Sequence, residues 1–243
     1  MAYLTGFHAI EEYILSGAQT GALLLAKAGP RAKEIVALAG EHKILVSRVG
    51  THDLERISHL HRGIALEIPD VAAGSEIKLD EFIEALGDKK NVLAVMLDEV
   101  TDPHNYGAII RSCDQAGVDV VITRNKRTAK HADTIAKTSA GAAAWVRQAE
   151  TPNLPRACEQ LKNAGFWIYG ADSRGECVYK QKLTGRICLV LGGEGTGITR
   201  LLGECCDGFV AIPSVGRVDS FNVSVAAGIL LYELLRQRSQ NGK

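Results

Sequence analysis

The stretch Ile212-Pro213-Ser214-Val215-Gly216-Arg217-Val218-Asp219-Ser220-Phe221-Asn222-Val223-Ser224 decides how the chain is read. It leaves an apolar run, crosses small and polar residues and enters an apolar-periodic segment that continues to Arg238. That order predicts a strand end, a loop and a helix, and such a loop can hold a ligand against the unpaired N–H groups of the helix's first turn. Ser220 and Asn222 are natural cap residues, so capping alone also accounts for them. Two other loops of polar residues and glycines, around Asn105 and Glu194, follow predicted strands in the same way.

Upstream and downstream of these loops the pattern is regular. Strands are predicted at 92–97, 118–123, 145–148, 166–171, 187–191 and 209–212, and helices at 108–116, 129–140, 154–164, 198–205 and 223–238. Alternation of this kind predicts an α/β domain with a mainly parallel sheet covered on both faces. In such sheets ligands sit beyond the carboxyl ends of the strands. Residues 1–72 read as a second, small α/β module, with helices at 9–15 and 31–39, a helical turn at 54–58 and strands at 22–27, 44–49 and 64–68. Residues 70–76 lack periodicity and hold small residues, which marks a linker. The expected division is 1–72, a linker with lead-in helix at 73–90, and 91–243.

The totals set outer bounds. Lys plus Arg and Asp plus Glu number 28 each, so no global positive field draws the protein to nucleic acid and any such binding must be local. Six cysteines without a CxxC pair or tetrahedral zinc spacing read as buried, reduced thiols. His59 and His61 stand two apart, but no carboxylate or cysteine completes a set, so no metal is expected. The N-terminus lacks a signal-peptide pattern and no apolar run is long enough to span a bilayer, which predicts a cytoplasmic protein.

Each loop carries its own chemistry. The first, Asp98-Glu99-Val100-Thr101-Asp102-Pro103-His104-Asn105-Tyr106-Gly107, opens a helix that bears Arg111, and Asn105 can cap that helix. The second, Leu191-Gly192-Gly193-Glu194-Gly195-Thr196-Gly197-Ile198-Thr199, has Ile198 where a phosphate-binding loop needs Lys and does not fit G-x-G-x-x-G. What it offers is a glycine-lined backbone with one carboxylate, Glu194. Together the loops supply Asn105, Arg111, Glu194, Ser220 and Asn222, with no cysteine nucleophile, metal set or Ser-His-Asp arrangement. Such orienting groups suit transfer from a bound cosubstrate better than hydrolysis. Arg124, Lys126, Arg127, Lys130 and His131 form a basic run after the strand at 118–123, read either as a solvated face or as RNA phosphate contacts.

At this point the chain resembles a known family. Asn105-Tyr106-Gly107-Ala108-Ile109-Ile110-Arg111, Leu191 through Gly197, and Ile212-Pro213 with Ser220-Phe221-Asn222-Val223-Ser224 are similar to the three ordered motifs of TrmH-type SPOUT RNA ribose 2′-O-methyltransferases. A weaker likeness, in Gly6-Phe7-His8-Ala9-Ile10 and Arg62-Gly63-Ile64-Ala65, extends to the family's N-terminal RNA-binding module of the L30e-like kind. The resemblance implies a C-terminal trefoil knot, a homodimer and bound S-adenosylmethionine. It implies contacts to that cofactor from Gly192, Ile212, Ser214 and Phe221, with Gly170 and Ala171 beside it. It further implies methyl transfer to a ribose 2′-hydroxyl of RNA, in the branch nearest this chain a guanosine of 23S rRNA.

By the same matching Arg111 takes the ribose proton, while Asn105, Glu194, Ser220 and Asn222 hold the substrate and Arg111. A guanidinium with a pKa above about 12 is a poor base, so Arg111 is read either as perturbed on binding or as positioning phosphate and ribose. The last helix's stripe of Val223, Ala226, Ala227, Leu230, Leu231, Leu234 and Leu235 is core and, by resemblance, also dimer interface. Phe221 departs from the leucine usual in the family. Two other readings stay open: an enzyme of the same fold acting on tRNA or on an antibiotic-resistance site of rRNA, and an RNA-binding protein without catalysis.

Overall fold

Strand β1 (Ala2–Thr5) is turned into helix α1 (Phe7–Leu15) by Gly6, whose φ of +94° a side-chain-bearing residue rarely adopts. Then follow β2 (Leu23–Leu25), α2 (Pro30–Glu41), β3 (Val46–Arg48), α3 (Thr51–Ile57) and β4 (Ile64–Ile68). The four strands lie in the order β1-β4-β2-β3, with β4 antiparallel to β1 and β2, and β2 parallel to β3. Leu23, Ile35, Ile64 and Leu66 fill the space between sheet and helices. The computed structural model describes residues 2–15, 17, 21–58, 61–68, 76–124 and 132–240, and the chain divides into two units, residues 1–75 with 132–145 and residues 76–131 with 146–243.

Two sequence expectations change here. Strand β1 is additional to the expected elements, since four residues are too few to show a period. The expected strand at 145–148 is displaced to Gln148–Glu150, because Trp145 ends a 3-10 turn, Ala142–Ala144, with its ring 6.0 Å from that of Tyr13. This turn and α6 (Ala132–Thr138) belong to the first unit.

The second unit opens with α4 (Leu79–Glu84) and is organised by β5 (Val92–Asp98), buried at all seven positions. A strand buried throughout needs a strand on each side and cover on both faces. Those neighbours are β6 (Val120–Thr123) and β9 (Arg186–Gly192), joined by β7 (Gln148–Glu150), β8 (Trp167–Cys177) and β10 (Gly208–Ala211). The six strands run in the order β10-β8-β9-β5-β6-β7 and every pairing is parallel, as expected. Helices α5 (Pro103–Gln115), α7 (Leu154–Asn163), α8 (Arg200–Glu204) and α9 (Val223–Gln240) complete the unit. No helix among the described residues is long and apolar enough to cross a membrane.

Strand β8 runs six residues past its expected end. Phe209 of β10 pairs with Gly170, yet Val210 pairs with Glu176, so residues 171–175 bulge out of register. The bulge depends on glycine: a Cβ on Gly170 would lie 2.6 Å from the Phe209 ring, and one on Gly175 2.6 Å from the Phe209 carbonyl carbon. Because all six strands are parallel, the loops after β5, β9 and β10 leave from one edge of the sheet.

Candidate active site

The first loop enters α5 through a cap different from the expected one. Asp102 is the N-cap, its carboxylate accepting from Asn105 N–H at 2.8 Å, and Pro103 fills the first helical position, where no N–H is needed. Asn105, expected as the cap, sits one turn in with its side chain released. Its Nδ2 donates to Glu194 Oε1 at 2.9 Å.

The glycines of the second loop close a tight turn on themselves. Gly197 N–H donates to Gly193 O at 3.0 Å, while Gly195 and Gly197 hold φ of +78° and +65°. A Cβ on Gly192 would lie 2.2 Å from the Gly197 carbonyl carbon, and one on Gly193 2.7 Å from Glu99 O. Glycine is therefore required here for the loop's own packing and for its approach to the first loop. Glu194 stands exposed at the tip.

The third loop ends on Asn222, which performs two tasks. Its Oδ1 accepts from Ser224 N–H at 2.9 Å and Val225 N–H at 3.4 Å, so it caps α9, and it also accepts from the Ser224 hydroxyl at 2.6 Å. With the oxygen committed to backbone donors, the amide nitrogen must face outward. There Nδ2 donates to Glu194 Oε1 and, at 3.1 Å, to Asn105 Oδ1. Three loops from three strands thus meet in a closed ring of two amides and one carboxylate. Glu194 Oε2 makes no hydrogen bond with the described residues.

The structure does not draw all five expected residues into this ring. Arg111 is exposed on α5, six residues beyond Asn105 and hence about 9 Å further along the axis. Neither Arg111 nor Ser220 makes a hydrogen bond or ion pair with the described residues. Arg124, at the end of β6, lies 3.9 Å from the Glu99 carboxylate of the first loop. Lys126, Arg127, Lys130 and His131, like His59 and the expected linker at 70–75, lie outside the described residues.

Among the expected cofactor contacts, Gly192 and Gly170 have the packing roles given above and Ala171 lies in the β8 bulge. Ile212 is half-buried, and Ser214 accepts from Gly216 N–H at 3.4 Å. Residues 213–221 make no backbone–backbone hydrogen bond with the described residues, and they expose Val215, Val218 and Phe221. Unpaired backbone groups beside apolar side chains can accommodate a flat, polar-edged ligand. No group of three or more His, Cys, Asp or Glu among the described residues could hold a metal. The Cys113, Cys158 and Cys188 thiols are pushed up by burial, Cys158 to about 12, which leaves them poor nucleophiles.

One residue escaped the sequence reading. Asp98 ends β5 fully buried, and its Oδ2 accepts from Thr199 N–H at 2.8 Å while Oδ1 has no partner. It pins the far end of the Gly192–Gly197 turn to the strand that launches the first loop. The available signal was an aspartate closing an otherwise apolar strand, a place where a carboxylate cannot reach water.

Comparison with known proteins identifies the family. The model of the SpoU rRNA Methylase family matches residues 92–232, and that described as "RNA 2'-O ribose methyltransferase substrate binding" matches residues 3–72. A Xanthomonas campestris protein named 23S rRNA (guanosine-2'-O-)-methyltransferase RlmB is 38% identical over 242 residues, 97% of this chain and 96% of that one. A Borreliella burgdorferi protein named as an uncharacterized tRNA/rRNA methyltransferase is 38% identical over 219 residues, 87% of this chain and 96% of that one. In fold, the chain is similar to the SpoU methyltransferase AviRb from Streptomyces viridochromogenes, solved in complex with the cofactor AdoMet. The TM-score is 0.74 at 21% identity, covering 97% of this chain and 89% of that one.

Proposed function

Since the chain belongs to the SpoU rRNA methylase family, we propose that it transfers a methyl group from S-adenosylmethionine to a ribose 2′-hydroxyl of a guanosine in 23S rRNA. The observation that carries this reading is the Asn105–Glu194–Asn222 ring, which fixes three loops at the carboxyl edge of a parallel sheet.

The exposed backbone of 213–221, the Gly192 turn and the side chains of Ile212 and Phe221 would hold the cofactor, with Ser214, Gly170 and Ala171 beside it. When bound, S-adenosylmethionine supplies an electrophilic methyl group. Attack needs the ribose oxygen held in line at about 3 Å. Glu194 Oε2, the carboxylate oxygen with no amide on it, would accept a hydrogen bond from the 2′-hydroxyl, orient its lone pair and receive its proton as the O–CH3 bond forms and the donor's S–CH3 bond breaks. The two amides on Oε1 keep that carboxylate still. Arg111 and Ser220, without a hydrogen-bond or ion-pair partner among the described residues, grip the phosphate and ribose, and a guanidinium does this well because it stays charged. Arg124 and the basic run through Lys126, Arg127 and Lys130 add phosphate contacts.

The same reading gives residues 1–72 the role of an L30e-like RNA-binding module, joined through 73–90 to a methyltransferase domain at 91–243. It makes the C-terminal segment a trefoil knot and the enzyme a cytoplasmic homodimer. The exposed Val225 and Tyr232 on α9 support the dimer, since they leave apolar surface outside the core. A second reading, methylation of tRNA, is favoured by the names of relatives such as the Borreliella protein. Mass-spectrometric mapping of ribose methylation after incubation with unmodified rRNA and tRNA tests both. Methylation confined to tRNA selects the second, and none in either RNA overturns the reading.

A further inference from the structure

The end of the first unit's sheet where β2 and β3 finish and β4 begins gathers unpaired positive charge. Arg48 is the register partner of Leu25, two residues before Lys27. Lys27 N–H and Ala26 N–H both donate to Gly63 O, at 3.3 and 2.9 Å, which brings Arg62 alongside. With strands about 5 Å apart and about 3.3 Å per residue, these three cations share one edge despite their separation in sequence. All three are exposed. None has a carboxylate partner among the described residues, whereas nearby Arg31 is held by Glu11 and Glu34.

The acidic groups of this end form no ion pair with these three cations among the described residues. The Asp53 carboxylate accepts from Gly50 N–H at 3.0 Å, Glu11 and Glu12 face Arg31 and His8, and Glu55 is exposed on α3. Arg62 is moreover presented rather than loose. Its φ is +50°, uncommon for a residue with a side chain, and three hydrogen bonds freeze the turn around it. His61 N–H donates to Ser58 O at 3.3 Å, Ile64 N–H to His61 O at 2.9 Å, and Gly63 N–H to His61 Nδ1 at 2.8 Å. Unpaired cations lose no internal ion pair on meeting a polyanion, and each one that neutralises a phosphate releases counterions.

We propose that Lys27, Arg48 and Arg62 form the surface by which the N-terminal unit contacts RNA backbone, independently of base sequence. This deepens the reading of the protein as an RNA methyltransferase by assigning the contact to one edge of one sheet.

The test uses the full chain and an unmodified 23S rRNA transcript, with Kd measured across a salt series. In a Lys27→Ala, Arg48→Ala, Arg62→Asn triple variant, Kd should weaken roughly 10-fold or more, and the slope of log K against log salt should become shallower by about 2. Asn is chosen at 62 because it tolerates the left-handed backbone. At saturating transcript kcat should stay as in the parent, so the loss appears in KM alone. Lys43→Asn, at the opposite end of the same sheet, should leave the slope unaltered. An unaltered Kd and slope in the triple variant overturns the proposal, as does an equal effect from Lys43→Asn. Should the parent methylate no RNA while its salt-dependent binding still falls in the triple variant, the surface stands and the methyltransferase reading fails.

Discussion

The two sheets end in contrasting chemistry. At the carboxyl edge of the parallel sheet, Asn105, Glu194 and Asn222 satisfy one another, and the ring they form is anchored below by the α9 cap. At the edge of the four-stranded sheet, the side chains of Lys27, Arg48 and Arg62 are exposed and have no carboxylate partner among the described residues. On the proposed function, the contrast matches what each edge would have to hold. Bringing a ribose oxygen in line with a methyl carbon tolerates errors of a few tenths of an ångström, so its supports must be fixed before substrate arrives. Holding a phosphate backbone needs charge and reach, and prior pairing would only have to be undone.

The largest effect should come from disturbing the turn that carries Glu194. Gly192→Ala puts a methyl group 2.2 Å from the Gly197 carbonyl carbon, backbone that cannot yield without unfolding the turn. Thermal unfolding should show a loss of about 4 kcal/mol or more, together with loss of turnover. A stable, active Gly192→Ala protein would mean the turn is not closed as described.

Glu194→Ala separates positioning from folding. The side chain is exposed, so stability should shift by no more than about 0.5 kcal/mol, while kcat/KM falls by about 100-fold as the two amides lose their shared acceptor. Asn222→Ala should lose comparable activity and also about 1 kcal/mol of stability, because the α9 cap goes with it. Equal stability losses in the two variants would contradict the double role of Asn222.

Much of this edge was legible in the sequence, because a strand followed by glycines and small polar residues has few readings. The cap was misassigned for a local reason: Asn105 and Asp102 are both good cap residues, and Pro103 between them decides for Asp102. Asp98 was invisible because its role depends on Thr199, a partner about a hundred residues away that only the β5–β9 pairing brings near. The basic edge was hidden for the same reason. Lys27, Arg48 and Arg62 are scattered along the chain, and strand register rather than sequence proximity assembles them. A contiguous run such as 124–131 draws the eye, though adjacency in sequence is no measure of a surface.

Asp98→Ala should have an intermediate effect. It removes the acceptor for Thr199 N–H at a buried position, a loss of about 1–3 kcal/mol, and frees one end of the Glu194 turn. Turnover should fall by about 10-fold, less than in Glu194→Ala, because the ring itself is left intact. Full activity at reduced stability would make Asp98 a packing residue only.

The smallest effect asks whether mutual satisfaction of polar groups is by itself a mark of function. Near the far end of α9, Glu233 is buried and accepts from Arg236 Nε at 2.7 Å, Arg236 Nη2 at 2.8 Å and Gln237 Nε2 at 2.8 Å, while Gln237 Oε1 accepts from Leu183 N–H. This set satisfies both Glu233 oxygens, and it ties α9 to residues 181–183. The Arg236 hydrogen bond holds the Glu233 carboxyl below the ordinary carboxylate range. A depressed folded-state pKa contributes stability above the unfolded value of about 4.3, and that contribution is lost as pH falls through the folded value. Because Arg236 is partly exposed, the contribution is no more than about 1 kcal/mol. Glu233→Gln should therefore be slightly less stable than the parent at pH 7, converge with it in acid, and methylate RNA at the parent's rate. A stability gap that persists undiminished at pH 3 would remove the ion pair as its cause, and a fall in turnover would extend the site's support to the far end of the helix.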